Sequence, residues 1–131
     1  MAPARSFLFY RRVRGRDTVY GPCTNQVELS EDRRRLYLRL ASTARFAVTL
    51  DWRGVFALIE ALETDTTLGV PCVHEEHGPT ALLVEVYKRK MALSMTVEDS
   101  PITVVFDPRE LAELVDHLRH GLRYLEATRT G

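Results

Sequence analysis

The chain has 131 residues, 45% of them hydrophobic, enough to bury one core and too few for two independent domains. Eighteen Lys and Arg balance eighteen Asp and Glu, so bulk charge predicts neither a nucleic-acid nor an acidic-lipid partner, and any such partner requires a local patch. No apolar run approaches the roughly 18 residues of a membrane span, and the four-residue run Phe7 to Tyr10 is too short for a secretory leader. A single domain over residues 1–131 is expected, cytoplasmic and without a membrane partner. Two cysteines, Cys23 and Cys72, are too few for a disulfide framework and read as free thiols, with one bridge between them as the alternative.

In chain order, a first strand is expected over Ser6 to Val13 with Thr18 to Tyr20, followed by one around Val27, Glu28 and Leu29. Leu36, Leu38 and Leu40 alternate, as do Phe46, Val48 and Leu50, which marks two strands with one buried face each. A helix begins after Asp51, with Trp52, Val55, Phe56, Ile59 and Leu62 as its buried stripe, and ends near the polar run Thr64 to Thr67. Strands then recur at Val70 to Glu76, around Val84 to Val86, at Leu93, Met95 and Val97, and at Ile102, Val104 and Phe106. The last helix spans about 108–127. Asp107 caps it, Pro108 lies in the first turn and Glu110 sits three residues after the cap, while Leu111, Leu114, Val115, Leu118, Leu122 and Leu125 share a face.

Val27 to Val84, Leu29 to Val86, Leu36 to Leu93 and Leu40 to Val97 share an offset of 57, and Val48 to Val104, Asp51 to Asp107 and Leu62 to Leu118 share 56. A one-residue slip inverts the faces of a strand, so parity kept through three strands and into a helix indicates an internal repeat. The spacing predicts an α+β fold of tandem duplicated β-β-β-β-α units, repeat one at about 5–64 and repeat two at about 70–127, packed as an intramolecular pseudo-dimer.

The passages Ala44 to Leu62 and Pro101 to Tyr124 resemble the superfamily of whirly proteins, Pur-alpha repeat proteins and single-stranded-DNA-binding transcriptional coactivators. The resemblance lies in a last strand, a short polar cap and an amphipathic helix, with two such units in one chain being similar to Pur-alpha. It implies binding of single-stranded DNA or RNA on curved sheets, as in a transcription or replication accessory factor.

Single-strand binding needs cations for the backbone and flat rings for the bases. Strand alternation places Arg35, Tyr37 and Arg39 on the face opposite Leu36, Leu38 and Leu40, and Tyr10, Arg12 and Arg14 share a parity, with Arg16 beyond and Phe7 and Phe9 inward. Arg33 and Arg34, then Lys88, Arg89 and Lys90 near Tyr87, add a basic rim. The expected nucleic-acid contacts are Tyr10, Arg12, Arg14, Arg35, Tyr37, Arg39, Lys88 and Arg89. The corresponding face of the second half, Ala92, Ser94 and Thr96, is small and uncharged. The same Arg and Tyr residues also fit an ordinary solvated strand face, and the alternative function is a protein-interaction or regulatory scaffold without nucleic acid. Leu122, Tyr124 and Leu125 then offer a homodimer surface on the C-terminal helix. No catalytic motif or cofactor motif is present. Cys72, His74 and His77 lie close in sequence but lack the spacing of a zinc site, so no metal is assigned, and His117 and His120 read as exposed helix residues.

Overall fold

The computed structural model describes residues 7–41 and 46–128. Arg5, Ser6 and Ala44, at expected starts of the first repeat, first strand and first matching passage, lie outside them, as do the side chains of Phe7 and Phe46. Eight strands are present: β1 (Phe7–Asp17), β2 (Gly21–Ser30), β3 (Leu36–Leu40), β4 (Phe46–Leu50), β5 (Leu68–His74), β6 (Gly78–Tyr87), β7 (Lys90–Val97) and β8 (Ser100–Phe106). Helix α1 (Trp52–Glu63) follows β4 and helix α2 (Pro108–Thr128) follows β8.

The fold class differs from the one expected. The strands do not form two β-β-β-β-α units packed as a pseudo-dimer but one closed antiparallel barrel in the order β1 to β8. Val48 and Thr49 of β4 pair with His74 and Val73 of β5, and Arg16 and Asp17 of β1 pair with Val105 and Val104 of β8. The physical reason is edge removal. Two separate four-stranded sheets expose four unpaired edges, whereas closure satisfies their backbone groups.

Alternation then decides what fills the barrel. Leu36, Leu38 and Leu40 are fully buried, as are Val27, Leu29, Leu82, Leu93, Val104 and Phe106, and these join one cluster with Val55, Leu58 and Leu62 of α1 and Leu114, Leu118 and Leu125 of α2. Both helices therefore share the interior with the inward strand faces. The outer faces of β1 and β3 carry Arg and Tyr, so the polarity there is the reverse of a membrane barrel's. No helix among the described residues is long and apolar enough to cross a membrane.

Local chemistry accounts for the element ends. The Asp107 carboxylate accepts from the Glu110 N–H at 2.8 Å while Glu110 accepts from the Asp107 N–H at 3.0 Å, a reciprocal capping box. Asp51 caps α1 by accepting from the Gly54 N–H. β1 runs on to Asp17, and Thr18 to Tyr20 form a turn rather than a strand, because the buried Asp17 carboxylate accepts the N–H groups of Val19 and Tyr20. Gly121 lets α2 pass close to the barrel wall, since a Cβ there would stand 2.6 Å from Leu36 Cδ1. Phe56, expected in the buried stripe of α1, is 52% exposed, and Gly54, Leu58 and Ala61 occupy the buried arc in its stead.

Candidate nucleic-acid interface

With the buried stripes of both helices packed on inward strand residues, the outer surface of β1–β3 is a sheet face. Phe9, Val13, Gly15 and Asp17 of β1 are buried, and Tyr10, Arg12, Arg14 and Arg16 project outward between them. Two strands away, Arg35 is exposed, and Tyr37 and Arg39 are half-buried. The register sets these groups in rows: Tyr10 stands opposite Glu28, which stands opposite Tyr37, which stands opposite Thr49. Strand spacing puts Tyr10 and Tyr37 about 10 Å apart. The Arg12 Nε donates to the Tyr10 hydroxyl at 3.1 Å, and the Arg12 guanidinium lies 5.5 Å from the Tyr10 ring centre. That contact holds a ring and a cation together on the surface.

Arg39 belongs to the fold more than to the surface. Its Nε lies 3.4 Å from Glu28 Oε1 and its Nη2 lies 3.1 Å from Glu75 Oε1. Glu28 is only 3% exposed, so Arg39 neutralises a nearly buried carboxylate that sits between the two tyrosines. The charge sequence reasoning offered to a ligand is thus already engaged.

Lys88 and Arg89 form the tip of the β6–β7 hairpin, where Tyr87 pairs with Lys90, and both have positive φ, 48° and 70°. This is the two-residue type I′ geometry usually filled by Asn and Gly. Lys90, the next residue, lines a groove of about 530 Å³ with Arg14 and Arg16, but Asp107 and Glu110 line it too and offset the positive charge. A larger cleft of about 710 Å³ opens where β4 and β5 part beyond Thr49 and Val73, and it gathers Arg34, Arg35 and Arg53. Arg53 was not legible as a surface cation of this face. It lies on α1, and the β3–β4 register, with Leu50 opposite Leu36, brings the start of α1 beside the turn that carries Arg34 and Arg35.

The remaining expected groups have other surroundings. His74 is buried, and its Nδ1 accepts from the N–H groups of Glu76 and His77, closing the β5–β6 turn. Burial pushes the Cys72 thiol up to about 11, and burial followed by the charge of Asp17 raises that of Cys23; both cysteines are free. Among the described residues, no three His, Cys, Asp or Glu side chains converge on a metal position. His120 is half-buried and stacks on Phe9 at 4.9 Å, and desolvation lowers the pKa of His117, which is also half-buried. Leu125 is buried, and Leu122 and Tyr124 are half-buried and pack against the core.

Charge is distributed unevenly along the chain. Residues 1–64 hold eleven Lys and Arg against seven Asp and Glu, and residues 65–131 hold seven against eleven. Compared with protein-family models, curated proteins and solved structures, the chain finds no match.

Proposed function

We propose that this protein binds single-stranded nucleic acid, DNA or RNA, on the outer face of β1–β3, as an accessory factor in transcription or replication within the cytoplasm. The observation that carries the reading is the exposed row Tyr10, Arg12, Arg14 and Arg16 on that sheet face, with Tyr37 and Arg35 two strands away. Rings at that spacing stack on bases, and guanidiniums beside them take the phosphates. Lys88 and Arg89 extend the rim. Arg39 acts through Glu28, by keeping the platform flat and neutral at its centre.

The test is binding to single-stranded and duplex oligonucleotides at several salt concentrations. Engagement of Arg12, Arg14, Arg16 and Arg35 predicts a log–log salt slope near about −3 for a single strand. Replacing Tyr10 and Arg12 together by Ala should weaken binding by roughly 30-fold or more, from one lost stacking platform and one lost phosphate contact. Undetectable or salt-independent binding would overturn the proposal.

One observation favours a second reading, a protein-interaction scaffold. On the outer face of β5 and β6, Val73 is 45% exposed and Leu83 36%, beside exposed Pro71 and Ala81. Absence of nucleic-acid binding in the same assay would move the choice to that face.

A further inference from the structure

We propose that the cleft between β4 and β5 is a binding site for a phosphate monoester. The ladder that joins these strands ends at Thr49 and Val73, and the cleft begins there. Arg34 and Arg35 reach it from the β2–β3 turn and Arg53 from the first turn of α1. All three are exposed, and none makes an ion pair with a described residue. Asp51 lies within the lining and Asp32 acts on Arg34 and Arg35 from outside it, so the three guanidiniums outnumber the carboxylates near them and repel one another, which an anion would relieve.

The balance of charge selects the kind of anion. Within the lining, three arginines and the one carboxylate of Asp51 leave a surplus of two positive charges, with the exposed Asp32 outside the lining beside Arg34 and Arg35. A monoester near neutral pH carries close to two negative charges and three acceptor oxygens, whereas a backbone diester carries one negative charge. The end of α1 is not itself the site, because the Asp51 carboxylate already accepts the Gly54 N–H. The lining also holds the apolar Ala57, Pro71 and Val73, which suit the sugar or base that follows the phosphate. The groove between β1 and β8 lacks this surplus, since two carboxylates, Asp107 and Glu110, stand among its three cations.

The source of the monoester is either a free mononucleotide or the phosphorylated end of a strand. The second rests on the single-strand reading above: Arg35 belongs to both the outer face and the cleft, and Thr49, opposite Tyr37, lines the cleft edge. A strand lying across Tyr10 and Tyr37 would bring its end to Arg35.

Calorimetric titration of the full chain tests both sources. One arm compares thymidine 5′-monophosphate with thymidine, and the other compares oligothymidylates that carry a 5′-phosphate, a 3′-phosphate or only hydroxyl ends. The phosphorylated ligand should bind about tenfold or more tightly in at least one arm, the effect of a few charge-assisted hydrogen bonds. That ratio should fall to about one in Arg53→Ala and recover in part in Arg53→Lys, which restores charge without the bidentate fork. Circular dichroism checks that each variant is folded. Preference for the mononucleotide without any oligonucleotide binding would keep the site and refute the single-strand function. Oligonucleotide binding indifferent to a terminal phosphate, with no mononucleotide preference, would refute the site and keep the function.

Discussion

Replacing Arg39 by Ala should cost stability far more than replacing Arg12, although both are arginines on outward strand positions. In Arg39→Ala, Glu28, 3% exposed in the parent, loses the guanidinium 3.4 Å away. At that distance the attraction between unit charges is about 5 kcal/mol for an effective dielectric of 20. Breaking a fully buried pair from one side costs about 3–5 kcal/mol. Arg39 retains 23% side-chain exposure and water can follow its departure, so the lower part of the scale applies, about 2–3 kcal/mol. The second contact, to the partly exposed Glu75, adds no more than about 1 kcal/mol. Arg12 is exposed and bonded only to the Tyr10 hydroxyl, so its removal should change stability by about 0.5 kcal/mol or less. Urea unfolding followed by the fluorescence of Trp52, the single tryptophan, measures both. A companion double-mutant cycle with Glu28→Gln should recover much of the Arg39→Ala loss, because the uncompensated charge is then gone. If Arg39→Ala unfolds within about 0.5 kcal/mol of the parent, Glu28 is not held by Arg39 and the assignment of that arginine to the fold is wrong.

Two further outcomes follow from thiol burial and backbone geometry. The ordinary thiol value of 9.0 rises to about 11 at Cys72, so its thiolate fraction at pH 8 drops about a hundredfold, and iodoacetamide should label it at least that much more slowly in the native chain than in urea. The sign also sets a pH window. The folded state holds that proton more firmly, so the contribution to stability is complete below pH 9.0 and is lost as pH rises toward about 11. Equal labelling rates in the two states would count against the buried placement. At the β7–β8 hairpin, Glu98 and Asp99 have φ of 51° and 64°, and Glu98→Asn with Asp99→Gly should raise stability by about 0.5–1 kcal/mol, read as a higher Tm. The 3.7 Å His77–Glu98 contact it removes is exposed and offsets little of that gain. A lower Tm would show that the tip residues are not conformationally strained.

Which faces are buried was legible, because alternation depends only on local geometry. Leu36, Leu38 and Leu40 went inward as their spacing demands, and the Asp107–Glu110 box formed where its three-residue spacing placed it. Which strands are neighbours was not. Among the described residues the closures between β4 and β5 and between β1 and β8 rest on two residue pairs each, and a pattern of hydrophobicity carries no mark of its lateral partner. The same blindness explains Arg39. From the sequence it is the cation beyond Tyr37, and only the β2–β3 register sets it beside Glu28. Phe56 failed for a different reason. A stripe read from large side chains alone passes over Gly54 and Ala61, which complete the buried arc of α1 and displace its centre away from Phe56.

The zero net charge that argued against a polyanionic partner conceals a separation along the chain, with a surplus of four positive charges before residue 65 and four negative after it. Among the described residues the strands β1–β4 stay contiguous on closure, with nine Lys and Arg against seven Asp and Glu before residue 65, instead of being interleaved with the acidic strands. Such a dipolar molecule turns in the field of a polyanion before contact, presenting β1–β3 and the β4–β5 cleft while the acidic half is pushed away. Screening confines this orientation to separations of about 8–10 Å at physiological salt. Net charge therefore sets the long-range attraction near zero, and the arrangement of charge decides which face a polyanion would meet once close.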